Sequence, residues 1–378
     1  MPLLPDPLAR MRHAFEHRSE AAIAAKAAGR IVVAYIGNCV PVELIVAAGC
    51  FPVQLTGAPE HATPLADAFL DDDVDGDVRS LFQRIVDGAF NHVDLIVVAR
   101  SSNCFLYLYY MLHEVRRWLP GQAFPEVCLF DVLHTPYAST GEYVYGRTSA
   151  LKARLEQLSG NAIGEPALRQ AIARVNDNRR ALQALNALRR LPAPTLSGTD
   201  ILRAIGASRF MDLDQHTALV NALLGSSRSP MRGVRLMVKG APHDNARFYE
   251  LVESLGALIV ADDHLCGERS IEHLVDDRAD PMAALTQQYH LHAPSIRSYP
   301  QAAQDRRFLE IVDAAAVQGV IFYHDEFDDT LGWDYPEQKR LLDARGIASV
   351  YLQQQSYRCP ETAAQAGAVR ELIARSAA

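Results

Sequence analysis

The chain has 378 residues, 49% hydrophobic and 22% charged, which is the balance of a globular protein and excludes general disorder. Its length exceeds one ordinary core, so two domains of roughly 150–200 residues are expected. The formal net charge of −8 argues against a dedicated nucleic-acid binder, and no run approaches the roughly 18–20 apolar residues of a membrane span.

Residues 1–29 alternate charged and Ala-rich turns and lack the continuous apolar stretch of a secretion signal. They predict an amphipathic N-terminal helix on a cytoplasmic protein. Residues 30–145 predict a first α/β domain. Arg30–Tyr35 reads as a strand, and Pro41–Gly49 as a helix opened by Pro and stopped by Gly. Phe51–Leu55 is the next strand. Asp94–Ala99 is continuously apolar, as in strands covered on both faces of a parallel sheet. It runs through Arg100–Cys104 into a helix over Leu106–Trp118, and Val127–Val132 closes the series.

Residues 146–230 predict a helical segment, with helices over Ser149–Leu158, Glu165–Arg190, Thr199–Gly206 and Asp212–Gly225, and a linker at Gly225–Pro230. Residues 231–378 predict a second α/β domain. Its strands are Val234–Gly240, Ala257–Asp263, Gly319–Tyr323 and Ala348–Leu352, with helices over Asn245–Leu255 and Pro336–Ala344. The expected fold is therefore α/β, with two doubly wound parallel-sheet lobes and a helical segment between them.

Ligands in open parallel sheets sit beyond the carboxyl ends of the strands. Four loops qualify: Gly37–Glu43, Arg100–Cys104, Asp262–Arg269 and His324–Asp334. Six cysteines are scattered without a CxxC pair (Cys39, Cys50, Cys104, Cys128, Cys266, Cys359), so a disulfide framework is not expected. Cys104 differs from the others because it follows a buried strand and sits at a helix start, where backbone N–H groups lower a thiol's pKa. It reads equally as a site thiol or as a structural one. Glu43 is either a helix-dipole partner or a site carboxylate poised for proton transfer. Asp262-Asp263-His264 with Cys266 reads as a metal cluster or as helix capping, and Asp71–Asp73 as a solvated loop. His324-Asp325-Glu326 with Asp328-Asp329 follows a strand as a site would, although an exposed loop explains it too. No GxxxxGK[ST], GxGxxG or GxSxG motif is present.

The order of these features resembles the 2-hydroxyacyl-CoA dehydratase and benzoyl-CoA reductase family. The resemblance is carried by Pro41–Ile45, Ala47–Gly49, Pro52-Val53 and the strand ending at Cys104, then Leu155–Ile163, Asn176 and Asn178-Arg179. In the second half it is carried by Gly240, Glu253, Gly256-Ala257, Asp262-Asp263, Cys266-Gly267, Arg269, Gly319–Ile321 and Asp334–Pro336. It implies a subunit that pairs with a homologous second subunit, acts on an acyl-CoA or aryl-CoA thioester, and receives electrons from an ATP-dependent iron–sulfur activator. It further implies a [4Fe–4S] cluster held by three cysteines from separate loops. Cys104 corresponds to the middle cysteine, whereas Asp75 and Asp328 fall at the first and third positions. Carboxylates suit such a cluster poorly. Three readings follow: an unusual cluster or another metal at Asp75, Cys104 and Asp328; a structural or regulatory subunit that has lost its cluster; or a non-redox metal enzyme using these residues with His324. Glu43 is the expected catalytic carboxylate in the enzymatic readings.

Overall fold

The computed structural model describes residues 6–292, 300–358 and 362–377. Helices α1 (Pro7–Glu16) and α2 (Glu20–Ala27) lead into β1 (Val32–Ile36), α3 (Val42–Ala47) and β2 (Phe51–Gln54). Next come α4 (Pro64–Phe69), α5 (Gly76–Val86), β3 (Leu95–Ala99), α6 (Asn103–Trp118) and β4 (Glu126–Phe130). Four helices follow: α7 (Ala138–Ser159), α8 (Glu165–Leu188), α9 (Gly198–Ala207) and α10 (Leu213–Leu224). The chain then forms β5 (Val234–Gly240), α11 (Arg247–Ser254), β6 (Ala257–Asp263), a short 3-10 turn at Glu268–Ile271, α12 (Pro281–Leu291) and α13 (Gln301–Ala314). It ends with β7 (Gly319–Asp325), α14 (Asp329–Asp343), β8 (Ala348–Gln355) and α15 (Ala363–Ser376).

The eight strands form two four-stranded sheets, ordered β2-β1-β3-β4 and β6-β5-β7-β8, and every pairing is parallel. The α/β, two-lobed architecture expected from the strand–helix alternation is thus observed. Each order reverses direction at the middle pair, β1/β3 and β5/β7, which opens a crevice at their carboxyl ends.

All five residues of β1 and of β3 are buried because helices cover both faces. Val32, Ala34, Ile36, Ile96 and Val98 point into one core, and Val33, Tyr35, Leu95, Val97 and Ala99 into the other. The first of these cores continues into the second lobe through Val238, Tyr249, Ile259 and Ile321. Each fully buried aliphatic side chain contributes on the order of 1.5–3 kcal/mol. The N-terminal helices are also tied to the second lobe, by Arg18 to Asp244 at 3.5 Å. At Gly240 (φ 129°) a Cβ would meet the Tyr323 carbonyl oxygen at 2.1 Å, so only glycine lets β5 end against β7.

Several boundaries differ from the sequence reading. The N-terminal helix is two helices, broken at His17–Ser19. Helix α7 begins at Ala138, ahead of the expected Ser149, and ends at Gly160 in the left-handed conformation. Pro336 does not open its helix: α14 starts at Asp329, where the Asp328 carboxylate caps it, and Pro336 lies in the helix interior.

Candidate functional site

Cys104 occupies the first turn of α6, beyond the carboxyl end of β3, with Ser102 capping the helix by accepting from Phe105 N at 3.1 Å. The side chain is half-buried and packs against the larger core. Its thiol donates to the Asp75 carboxylate and accepts from the Asp75 backbone N–H. The helix start was expected to lower the thiol's pKa. Instead it is pushed up to about 12, by burial first and then by the negative charge of Asp75. Burial, reinforced by the Asp75 charge, outweighs the partial charge of the helix end, so Cys104 stays a thiol.

Asp75 precedes α5 but does not cap it; its side chain is turned to Cys104 instead. Asp77, in the first turn of α5, is pushed up to about 7 by burial, with Asp75 and Asp244 adding to it. From the second lobe Asp325 enters the same space. It is held well above the usual carboxylate range by burial and by Asp77, Asp75 and Asp328 in that order. These groups border a cleft of about 360 Å³ between the loop at Val74–Asp77, the loop at Asp325–Phe327 and Ser356–Arg358. Asp328 sits at its edge as a helix cap, its Oδ1 accepting from Thr330 N at 3.0 Å and Leu331 N at 3.2 Å. His324, beside it, is brought down to about 4 by burial, which the Asp328 charge only partly offsets.

Glu43 is elsewhere. It is fully buried in the first turn of α3, and Arg179 of α8 donates to its Oε1 at 2.7 Å. The Tyr289 hydroxyl of α12 donates to Oε2 at 2.8 Å, and Arg179 also donates to that hydroxyl at 3.1 Å. The carboxylate is therefore spent holding three segments together. Tyr289 carried no signal in the sequence, because its partner lies 246 residues away. Arg179 did fall within the family-like stretch at Asn178-Arg179.

Asp262 and Asp263 form no metal cluster with His264 and Cys266. Asp262 accepts from the buried Arg189 at 2.8 Å and from the Tyr249 hydroxyl at 3.1 Å. Asp263 faces Lys239 at 2.6 Å, Arg307 at 2.7 Å and Arg269. Burial alone would raise Asp263, but Arg269, Lys239 and Arg307 hold it well below the usual range. Cys266 lies beside Arg209 rather than beside Cys104. Cys359 lies outside the described residues.

A [4Fe–4S] cluster takes soft thiolate donors. Cys104 is hydrogen-bonded to Asp75, and the cleft that Asp75 borders is lined by further carboxylates with Arg79 and Arg358, and by no cysteine among the described residues. Among the described residues no group of three or more His, Cys, Asp or Glu side chains is disposed to hold a metal ion. Asp75 and Cys104 are brought into contact, whereas Asp328 is engaged at a helix end. This donor set does not fit a [4Fe–4S] cluster.

The paired parallel sheets with their inter-lobe cleft define a member of the family of the 2-hydroxyglutaryl-CoA dehydratase D-component, whose sequence profile matches residues 38–357; the chain belongs to that family. It is 23% identical to the (R)-phenyllactyl-CoA dehydratase beta subunit of Clostridium sporogenes, over 86% of this chain and 88% of that one. It is 25% identical to one of the subunits of the benzoyl-CoA reductase of Thauera aromatica, over 79% of each. It is 21% identical to the beta subunit of the (R)-2-hydroxyglutaryl-CoA dehydratase of Acidaminococcus fermentans, over 86% of this chain and 87% of that one. No helix among the described residues is long and apolar enough to cross a membrane.

Proposed function

We propose that this chain is a cytoplasmic subunit of a heteromeric enzyme acting on CoA thioesters, an acyl-CoA dehydratase or aryl-CoA reductase, and that it serves there without a [4Fe–4S] cluster of its own. The first half of the reading is supported by the family match and by relatives that are beta subunits of CoA dehydratases. The second half rests on one observation: the Cys104 thiol is hydrogen-bonded to Asp75, and the cleft that Asp75 borders is lined by carboxylates and arginines with no cysteine among the described residues. In this reading the cluster resides on a homologous second subunit and is reduced by an ATP-dependent iron–sulfur activator. This chain supplies the fold, the interface and one wall of the space between the two partners.

The test is co-expression with a cluster-bearing homologue, followed by size-exclusion chromatography and an assay of acyl-CoA turnover with the activator present. The reading expects a stable heteromeric complex whose turnover is changed less than about threefold by Cys104→Ser, because that thiol is no cluster ligand. A complex whose turnover collapses on Cys104→Ser would overturn it, as would a chain that never associates.

A further inference from the structure

A second cavity lies where the first lobe, the helical segment and the second lobe meet. Its volume of about 110 Å³ gives room for several water-sized groups. Among the described residues no Asp or Glu lines it, yet three arginines do: Arg179, Arg209 and Arg269. Arg179 is balanced by Glu43 and Arg269 by Asp263. Arg209 is not balanced. Only 9% of it is exposed, and its polar contacts are neutral: the Leu265 carbonyl at 3.3 Å, the Cys266 carbonyl at 3.2 Å and the Cys266 thiol. Among the described residues no carboxylate pairs with it.

A buried guanidinium without a counter-ion is unfavourable unless something outside the chain supplies the charge. Arg209 presents a planar fork suited to an oxyanion. Asn38, Ser208, Ser270, Gln288, His273 and His292 add polar groups to the lining. Val42, Leu182 and Met211 are among the apolar residues of its wall. A bare inorganic ion would leave those apolar groups unused, whereas an acid with a short hydrocarbon tail uses both kinds of surface.

We infer that this cavity binds a short-chain monocarboxylate, with Arg209 holding the carboxylate and the Val42–Met211 wall taking the hydrocarbon. The inference stands apart from the CoA-thioester reading and would survive its failure.

Calorimetric titration of butyrate into the full chain tests it, with chloride at equal ionic strength and inorganic phosphate as comparators. Saturable butyrate binding is expected, absent with chloride and weaker with phosphate. Arg209→Gln should weaken it by at least about tenfold, the loss expected on removing a charge-assisted hydrogen bond to a buried anion. Leu213→Trp, which narrows the cavity and leaves the Arg209 side chain in place, should weaken it similarly and decides the matter if Arg209→Gln fails to fold. No saturable butyrate binding, unchanged affinity in folded Arg209→Gln, unchanged affinity in Leu213→Trp, or a preference for phosphate would each overturn the assignment.

Discussion

Replacing Glu43 by Gln preserves volume and one acceptor but removes the only carboxylate facing Arg179 among the described residues. Glu43 is fully buried and the Arg179 side chain is 12% exposed, so water reaches Arg179 only from the cavity it lines and replaces the lost partner poorly. Breaking a buried pair from one side costs about 3–5 kcal/mol, because the remaining charge is left uncompensated. With no cavity created, nearly all of that loss is electrostatic. At roughly 2–3 kcal/mol per molar of urea, the unfolding midpoint should fall by more than about 1 M. Arg179→Met should cost a similar amount. The double variant should lose less than the sum by about 2–3 kcal/mol, since it leaves neither charge stranded. Urea unfolding followed by circular dichroism measures all three variants. Single variants within about 0.5 kcal/mol of the parent, with additive effects, would refute the structural role of Glu43 and restore it as a free site carboxylate.

His216 is buried, its Nε2 bonded to the Ala204 carbonyl at 2.9 Å and its Nδ1 to Asn178 at 2.7 Å, and burial brings it down to about 4. Between about pH 6.5 and 4 the unfolded chain takes up this proton first, so the stability from the site is complete above about 6.5 and lost as pH falls toward 4. The loss is about 3 kcal/mol, and urea midpoints against pH should fall less steeply in His216→Gln. Cys104 should react with iodoacetamide at pH 8 hundreds of times more slowly than an ordinary thiol, and Asp75→Asn should speed it; equal rates in parent and variant would contradict the Asp75 contact. Asp328→Ala should cost about 0.5–2 kcal/mol in a thermal melt, as expected of a helix cap, with no effect on metal content. Gly240→Ala should cost at least about 3 kcal/mol, read as a lowered urea midpoint, because its Cβ meets the Tyr323 carbonyl.

The strands were legible because their signal is local. Arg30–Tyr35, Asp94–Ala99 and Val234–Gly240 read as strands in sequence, the second as buried on both faces, and the fold places strands at Val32–Ile36, Leu95–Ala99 and Val234–Gly240, the second wholly buried. Helices α5, α12 and α13 have no place in the sequence reading, although α5 carries a continuous helical face at Val78, Leu81, Phe82, Ile85 and Val86 that periodicity could have found. Within the site, strand-end position pointed to Cys104 and family order to Asp75 and Asp328, whereas the structure sets Asp325 of the same loop near Asp75 and Asp77. What they did not reveal was partnership. Glu43 read as a helix-dipole partner or a site carboxylate, and neither reading foresaw Arg179 and Tyr289 arriving from more than a hundred residues away. The same holds for Asp262 and Asp263, whose spacing resembled a metal motif but whose cations lie on other elements. Nor does sequence show that burial, with the Asp75 charge, would outweigh a helix end at Cys104.

The most direct test of the account is iron and acid-labile sulfide content, with electron paramagnetic resonance, on this chain purified anaerobically by itself. The account predicts no stoichiometric iron or sulfide and no difference between the parent and Cys104→Ser. Iron and sulfide in equal stoichiometric amounts, lost in Cys104→Ser, would contradict it.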